Sequence, residues 1–103
     1  MKALYKGVGT PLQNIEISNE LAILQQYVGG YIEVVDLSPT SALVINEEGV
    51  LRGMEPNFYF HEIKDYIVGP ALFVGTDGDE FCDISKEEAD HIRSCFEKEV
   101  SNG

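Results

Sequence analysis

Five oxygen-bearing side chains late in the chain fall at spacings that calcium chemistry uses. Counted from Asp77, residues Asp77, Asp79, Asp83, Ser85 and Glu88 take places 1, 3, 7, 9 and 12 of a twelve-residue calcium loop, with apolar Ile84 at place 8. Two places break the pattern. Place 5 is Phe81, which offers no oxygen, and place 6 is Cys82, where the sharp turn needs glycine. A strand-like run, not a helix, precedes the stretch. It therefore reads as two pieces: an acidic, glycine-bearing turn, GTDGDE, and a helix start, ISKEEA.

The helix start accounts for part of the acidity. Ser85 and Glu88 fit the S-x-x-E capping box, and carboxylates in a first turn complement the helix dipole. Asp77, Asp79, Glu80 and Asp83 have no such local reason. With Glu87 and Asp90, and farther along Glu97 and Glu99, they form a candidate face for a partner with a basic surface.

Other chemistry is poorly supplied. His61 and His91 lie thirty residues apart, and neither belongs to a zinc-type pair. His91 is expected to pair with Glu87, one helical turn back. Cys82 and Cys95 fit no zinc spacing and are expected to be reduced and structural. No G-x-S-x-G elbow or other nucleophile–base pair occurs. Gly29-Gly30 closes a helix instead of opening one, so it is not a phosphate cradle. The expectation is a non-enzyme with no catalytic residue, no metal and no cofactor. A second candidate surface is the corner of Arg52, Asn57, Phe58, Tyr59 and Phe60, since exposed aromatics and arginine are common interface anchors. Three consecutive aromatics cannot all face one core.

Composition restricts the partners. Seven Lys and Arg against eighteen Asp and Glu give a formal charge of −11, which argues against nucleic acid and anionic membrane surfaces. The opening MKALYKGVGT has no apolar signal-peptide core, and no run reaches membrane-spanning length, so a cytoplasmic protein is expected. A chain of 103 residues suits one domain, read here as 1–100 with a frayed tail at 101–103. A homo-oligomer is compatible with this composition.

The elements that must position these residues form an α+β pattern. KALYKGV and NIEIS pair as a hairpin. A helix over about 19–29 is capped by Ser18 or Asn19, carries Leu21, Leu24 and Val28 on one stripe, and stops at Gly29-Gly30. YIEVVDL and ALVIN are strands joined by a turn at 38–41. Gly49 is expected to take a positive φ in the next turn, after which VLRG resumes the strand. Pro56-Asn57 favours a turn or helix start. YIVGPALFVG reads as one buried strand interrupted at Gly69-Pro70. A helix over about 86–99 carries Ala89, Ile92, Phe96 and Val100 on its apolar stripe. The sum is a mostly antiparallel sheet of about five strands with two main helices.

The ordered motifs VGGYIEVV, ALVINEEGVLRGMEPN and YIVGPALFVGTDG resemble a family of small uncharacterised domains (domains of unknown function) of phages and mobile elements of Gram-positive bacteria. The resemblance covers roughly residues 20–79. Phe58 stands where that pattern leads one to expect a basic residue, which removes charge that an anion-binding corner needs. The resemblance implies no catalytic residues. It implies a phage or mobile-element gene working inside a bacterial host. Together with the acidity and the missing catalytic constellation, this leads us to expect an accessory protein that binds and modulates or inhibits a host protein, in counter-defence. Two alternatives are sequestration of a small nucleotide-like signal, using Arg52, Tyr59 and Phe60, and mimicry of nucleic acid.

Overall fold

A computed structural model describes the backbone of residues 1–102 and the side chains of residues 1–97. Glu99, Val100 and the tail expected at 101–103 fall outside the described side chains. Eight strands and two helices follow one another: β1 (Lys2–Lys6), β2 (Leu12–Glu16), α1 (Leu21–Val28), β3 (Ile32–Ser38), β4 (Ser41–Asn46), β5 (Pro56–Phe60), β6 (Asp65–Val68), β7 (Ala71–Asp77), β8 (Glu80–Cys82) and α2 (Lys86–Asn102). The class is α+β, with every strand pairing antiparallel. The main sheet runs β2-β1-β7-β4-β3, and the short β8 pairs with the far end of β7. β5 and β6 form a separate two-stranded sheet.

Two consecutive apolar runs explain the layering. Ala42-Leu43-Val44 and Ala71-Leu72-Phe73-Val74 are fully buried, because their strands are covered on both faces. Ala42, Val44, Leu72 and Val74 pack toward Leu24 and Val28 of α1. Leu43, Ala71 and Phe73 face the opposite way, onto Phe58, Phe60 and Ile67 of the β5–β6 hairpin and Ile84, Ala89 and Ile92 of α2. The result is three layers with β7 at the centre. No helix among the described residues is long and apolar enough to cross a membrane.

Several local expectations change. Gly69-Pro70 does not interrupt one strand; it separates β6 from β7, which belong to different sheets. Pro56-Asn57 begins a strand, because Asn57 is held at a bulge by its side chain: Nδ2 donates to the carbonyls of Lys6 (2.9 Å) and Gly69 (2.8 Å), and Oδ1 accepts from Lys6 Nζ (2.9 Å). Burial accordingly lowers the Lys6 pKa. VLRG does not resume a strand. Residues 47–53 are successive turns that leave Val50 and Leu51 80% and 86% exposed. Gly49 does not take a positive φ; a side chain there would meet Val68 Cγ2 at 2.9 Å.

Neither Ser18 nor Asn19 caps α1. Its N-cap is Glu20, without a side-chain cap bond, while Asn19 Nδ2 donates to the Phe81 carbonyl at 2.8 Å and so anchors β8. Leu21 is left more than half exposed. The expected stop is present: Gly29 has φ +83, and the Gly29 and Gly30 N–H groups both donate to the Gln25 carbonyl.

Candidate functional site

β7 and β8 are joined by only Gly78 and Asp79. Gly78 has φ +61 and Asp79 does not share the positive φ, which identifies a type II′ turn, whose first central place favours glycine. This tight turn puts Asp77 directly opposite Glu80 and Asp79 at the tip, all three exposed. Like charges directly opposite across a strand pair are destabilising, by about 0.2–1 kcal/mol. Phe81 and Cys82 are strand residues, so residues 77–88 form a hairpin arm and a helix start, with no calcium-type loop.

The hairpin forms one wall of a cleft of about 620 Å³. β3, at the edge of the sheet, forms the other wall with Val34 and Asp36, and Thr76 and Phe81 also line it. Three carboxylates (Asp36, Asp79 and Glu80) line this cleft, and among the described residues no Lys, Arg or His does. Val34 is 44% exposed. The cleft therefore offers apolar contact beside uncompensated negative charge. That combination suits lysine or arginine side chains, whose stems are apolar and whose heads are charged.

Two positions make this geometry available. Gly75 lies opposite Cys82, and a Cβ there would run into the Asp83 carbonyl, so the chain leaving β8 can cross only a glycine. Glu88 fixes the far wall. Its Oε1 accepts from Ser38 Oγ (3.0 Å) and from Thr40 Oγ1, holding α2 to the β3–β4 turn. Burial pushes the Glu88 carboxyl up, but the hydroxyls of Thr40, Ser41 and Ser38 and the nearby charge of His91 outweigh it, leaving the pKa lowered. Only half of the capping box forms. Glu88 N–H donates to Ser85 Oγ at 3.1 Å, while the Glu88 carboxylate is taken by the turn.

The six acidic residues expected to act together are divided. Asp77, Asp79 and Glu80 share the hairpin. Asp83 is structural: its Oδ1 accepts the Lys2 N–H at 2.7 Å, and Ile84 N–H donates to the Lys2 carbonyl at 2.9 Å, so both extend the pairing with β1. Asp90 is matched on its own helix by Lys86 (3.1 Å) and Arg93 (2.9 Å). Glu87 is exposed in the first turn of α2, as the dipole favours.

The aromatic corner does not assemble as a surface. Phe58 and Phe60 alternate inward and are buried, in ring contact with Phe73 and Phe96. Tyr59 alone turns outward, against Tyr66 and His61. Asn57 is occupied in the strand-to-strand bonds described above. Arg52 pairs with Glu48 at 3.6 Å and lies beside Gly30, at the C-terminal end of α1, where a cation suits the dipole. The buried Asn46 serves the same end by donating to the Val28 carbonyl at 3.1 Å.

Two further groupings were not anticipated from the chain order. A cleft of about 560 Å³ between the β1–β2 hairpin and α2 collects Lys2, Lys86 and Arg93 beside Glu16. Elsewhere His91 pairs not with Glu87 but with Glu62, on the turn between β5 and β6: His91 Nε2 lies 2.9 Å from both carboxylate oxygens. Cys95 Sγ donates to Glu62 Oε1 at 3.7 Å. Neither cysteine is disulfide-bonded. The one sequence signal was His91-x-x-x-Cys95, a spacing that puts both side chains on one helix face.

A family model described as a domain of unknown function, DUF3846, matches residues 1–97. No curated protein and no solved structure matches the chain.

Proposed function

This chain belongs to the DUF3846 family, and we propose that it is a non-catalytic binding protein whose β7–β8 cleft receives a lysine- or arginine-bearing segment of another protein. One observation carries the reading: Asp79 and Glu80 line the cleft with Asp36 on the opposite wall, Asp77 faces Glu80 across the two-residue turn, and no cation among the described residues lines the cleft. Asp83, Glu88 and Asp90 each have a structural partner, whereas the hairpin carboxylates are placed together at a local cost. A basic segment would relieve that repulsion, and the overall charge of −11 would speed its approach.

The biological setting belongs to the same proposal. In this reading the partner is a host protein and the outcome modulation or inhibition, with counter-defence as the setting, inside a bacterial cytoplasm. Sequestration of a nucleotide-like signal finds no support at the corner suggested for it, since Phe60 is in the core and Arg52 serves the end of α1.

The test is titration of the isotopically labelled protein with a lysine/arginine-rich peptide, followed by amide shifts, alongside the Asp77→Asn/Asp79→Asn/Glu80→Gln variant. Salt-sensitive shifts confined to β3, β7 and β8, lost in the variant, are expected. Shifts spread evenly over the acidic surface, or unchanged in the variant, would overturn the reading. Capture from host lysate with the two proteins then identifies the partner as the one retained only by the unmodified hairpin.

A further inference from the structure

We propose that Glu62, His91 and Cys95 form a surface site for a single Zn²⁺ ion. One donor atom from each residue, a carboxylate oxygen, a ring nitrogen and the sulfur, lies within 4.8 Å of the other two. Oxygen, nitrogen and sulfur donors together suit zinc, which binds them at about 2.0–2.3 Å in tetrahedral geometry. Donors at those bond lengths lie about 3.3–3.6 Å from one another. The separations from Glu62 are 2.9 Å to His91 Nε2 and 3.7 Å to Cys95 Sγ, on either side of that range. Rotation of the exposed Glu62 and His91 side chains about the partly buried Cys95 brings the three donors toward those spacings.

The supporting elements are of unequal stiffness, in a way that suits capture. His91 and Cys95 are one turn apart on α2, whose neighbouring residues Ile92 and Phe96 pack into the core, so two donors stand on a fixed element. Glu62 sits on the β5–β6 turn and supplies the adjustable third. The fourth position falls to water or to His61, which precedes Glu62 on the turn and lines a small pocket together with Cys95. Binding displaces the Cys95 thiol proton and uses the lone pair of His91 Nε2, so affinity falls with acidity.

The experiment uses the full chain, tag-free, reduced and metal-stripped, with Co²⁺ as the spectroscopic probe and Zn²⁺ as competitor. Expected are a thiolate-to-cobalt charge-transfer band and the intense visible bands of four-coordinate cobalt. Both should saturate at one ion per chain and be abolished by Zn²⁺. Cys95→Ser removes the charge-transfer band, and Cys82→Ser leaves it intact. Loss of an outer partner alone typically costs about 10–100-fold in metal affinity, so His91→Ala should cost at least that. Far-UV dichroism of each variant should match the parent, because Glu62 and His91 are exposed and serine is nearly isosteric with the partly buried Cys95. No charge-transfer band in the parent, or a band that survives Cys95→Ser, would show Glu62 and His91 to be a hydrogen-bonded pair only. His61→Ala decides the fourth position: an unchanged cobalt spectrum assigns it to water, and altered visible bands assign it to His61. Either result follows saturable binding and supports the site.

Discussion

The hairpin arm and the start of α2 are neighbours in the chain and nearly equal in acidity, yet their carboxylates do opposite work. At the helix start, Glu88 holds the β3–β4 turn, Asp90 matches Lys86 and Arg93, and Asp83 just before it binds Lys2. At the hairpin, Asp77, Asp79 and Glu80 are brought together by a turn that aligns like charges. The difference teaches that charge density alone identifies nothing. What separates a structural carboxylate from a candidate binding one is whether folding gives it a donor.

The largest effect belongs to the residue that lets the two regions meet. Gly75→Ala places a Cβ against the Asp83 backbone, which cannot swing aside as a side chain can. We expect a loss of about 2–3 kcal/mol, the scale of overpacking in a tight interior, read by urea denaturation. A neutral result would mean that the β8–α2 connection moves freely, and the cleft wall would not be a fixed feature.

Next come the structural carboxylates. Asp83→Ala and Glu88→Gln should each cost about 1 kcal/mol at neutral pH, since each accepts hydrogen bonds at a partly solvated site. For Glu88 the sign with pH is fixed by its lowered pKa. Its contribution is present above the unfolded-state value and is lost as pH falls through the folded-state value. The parent and Glu88→Gln should therefore converge in stability on acidification below the carboxylate range, as followed by melting curves. A gap that persists in acid would mean that shape, not charge, is what the β3–β4 turn recognises.

The chain order revealed the α+β class, both helices, the glycine stop of α1 and the buried run of β7, because these rest on periodicity and local backbone preference. It did not reveal that Asn57 bonds across strands, that Arg52 serves the end of α1, or that Asn19 anchors β8, because each is a pairing over long sequence distance. The aromatic corner failed for a simple reason: Phe58 and Phe60 are two apart in a strand and share one face, and that face is the core. The grouping of Glu62 with His91 and Cys95 was only half legible, since the helix spacing is local but Glu62 comes from a turn 29 residues earlier.

The smallest stability effect is the most discriminating. Neutralising one member of the hairpin pair, by Asp77→Asn or Glu80→Gln, removes a repulsion worth about 0.2–1 kcal/mol and breaks no hydrogen bond found at these residues. The variants should be as stable as the parent or slightly more so, with a melting temperature that responds less to added salt, because screening has less left to relieve. Asp83→Ala must move the other way. If the hairpin carboxylates behaved like Asp83, losing stability on neutralisation, they would have a structural partner after all, and the distinction between the two halves of this acidic stretch would collapse. Opposite signs, together with loss of basic-peptide binding only in the hairpin variants, would place stability and recognition in separate carboxylates of the segment 77–90.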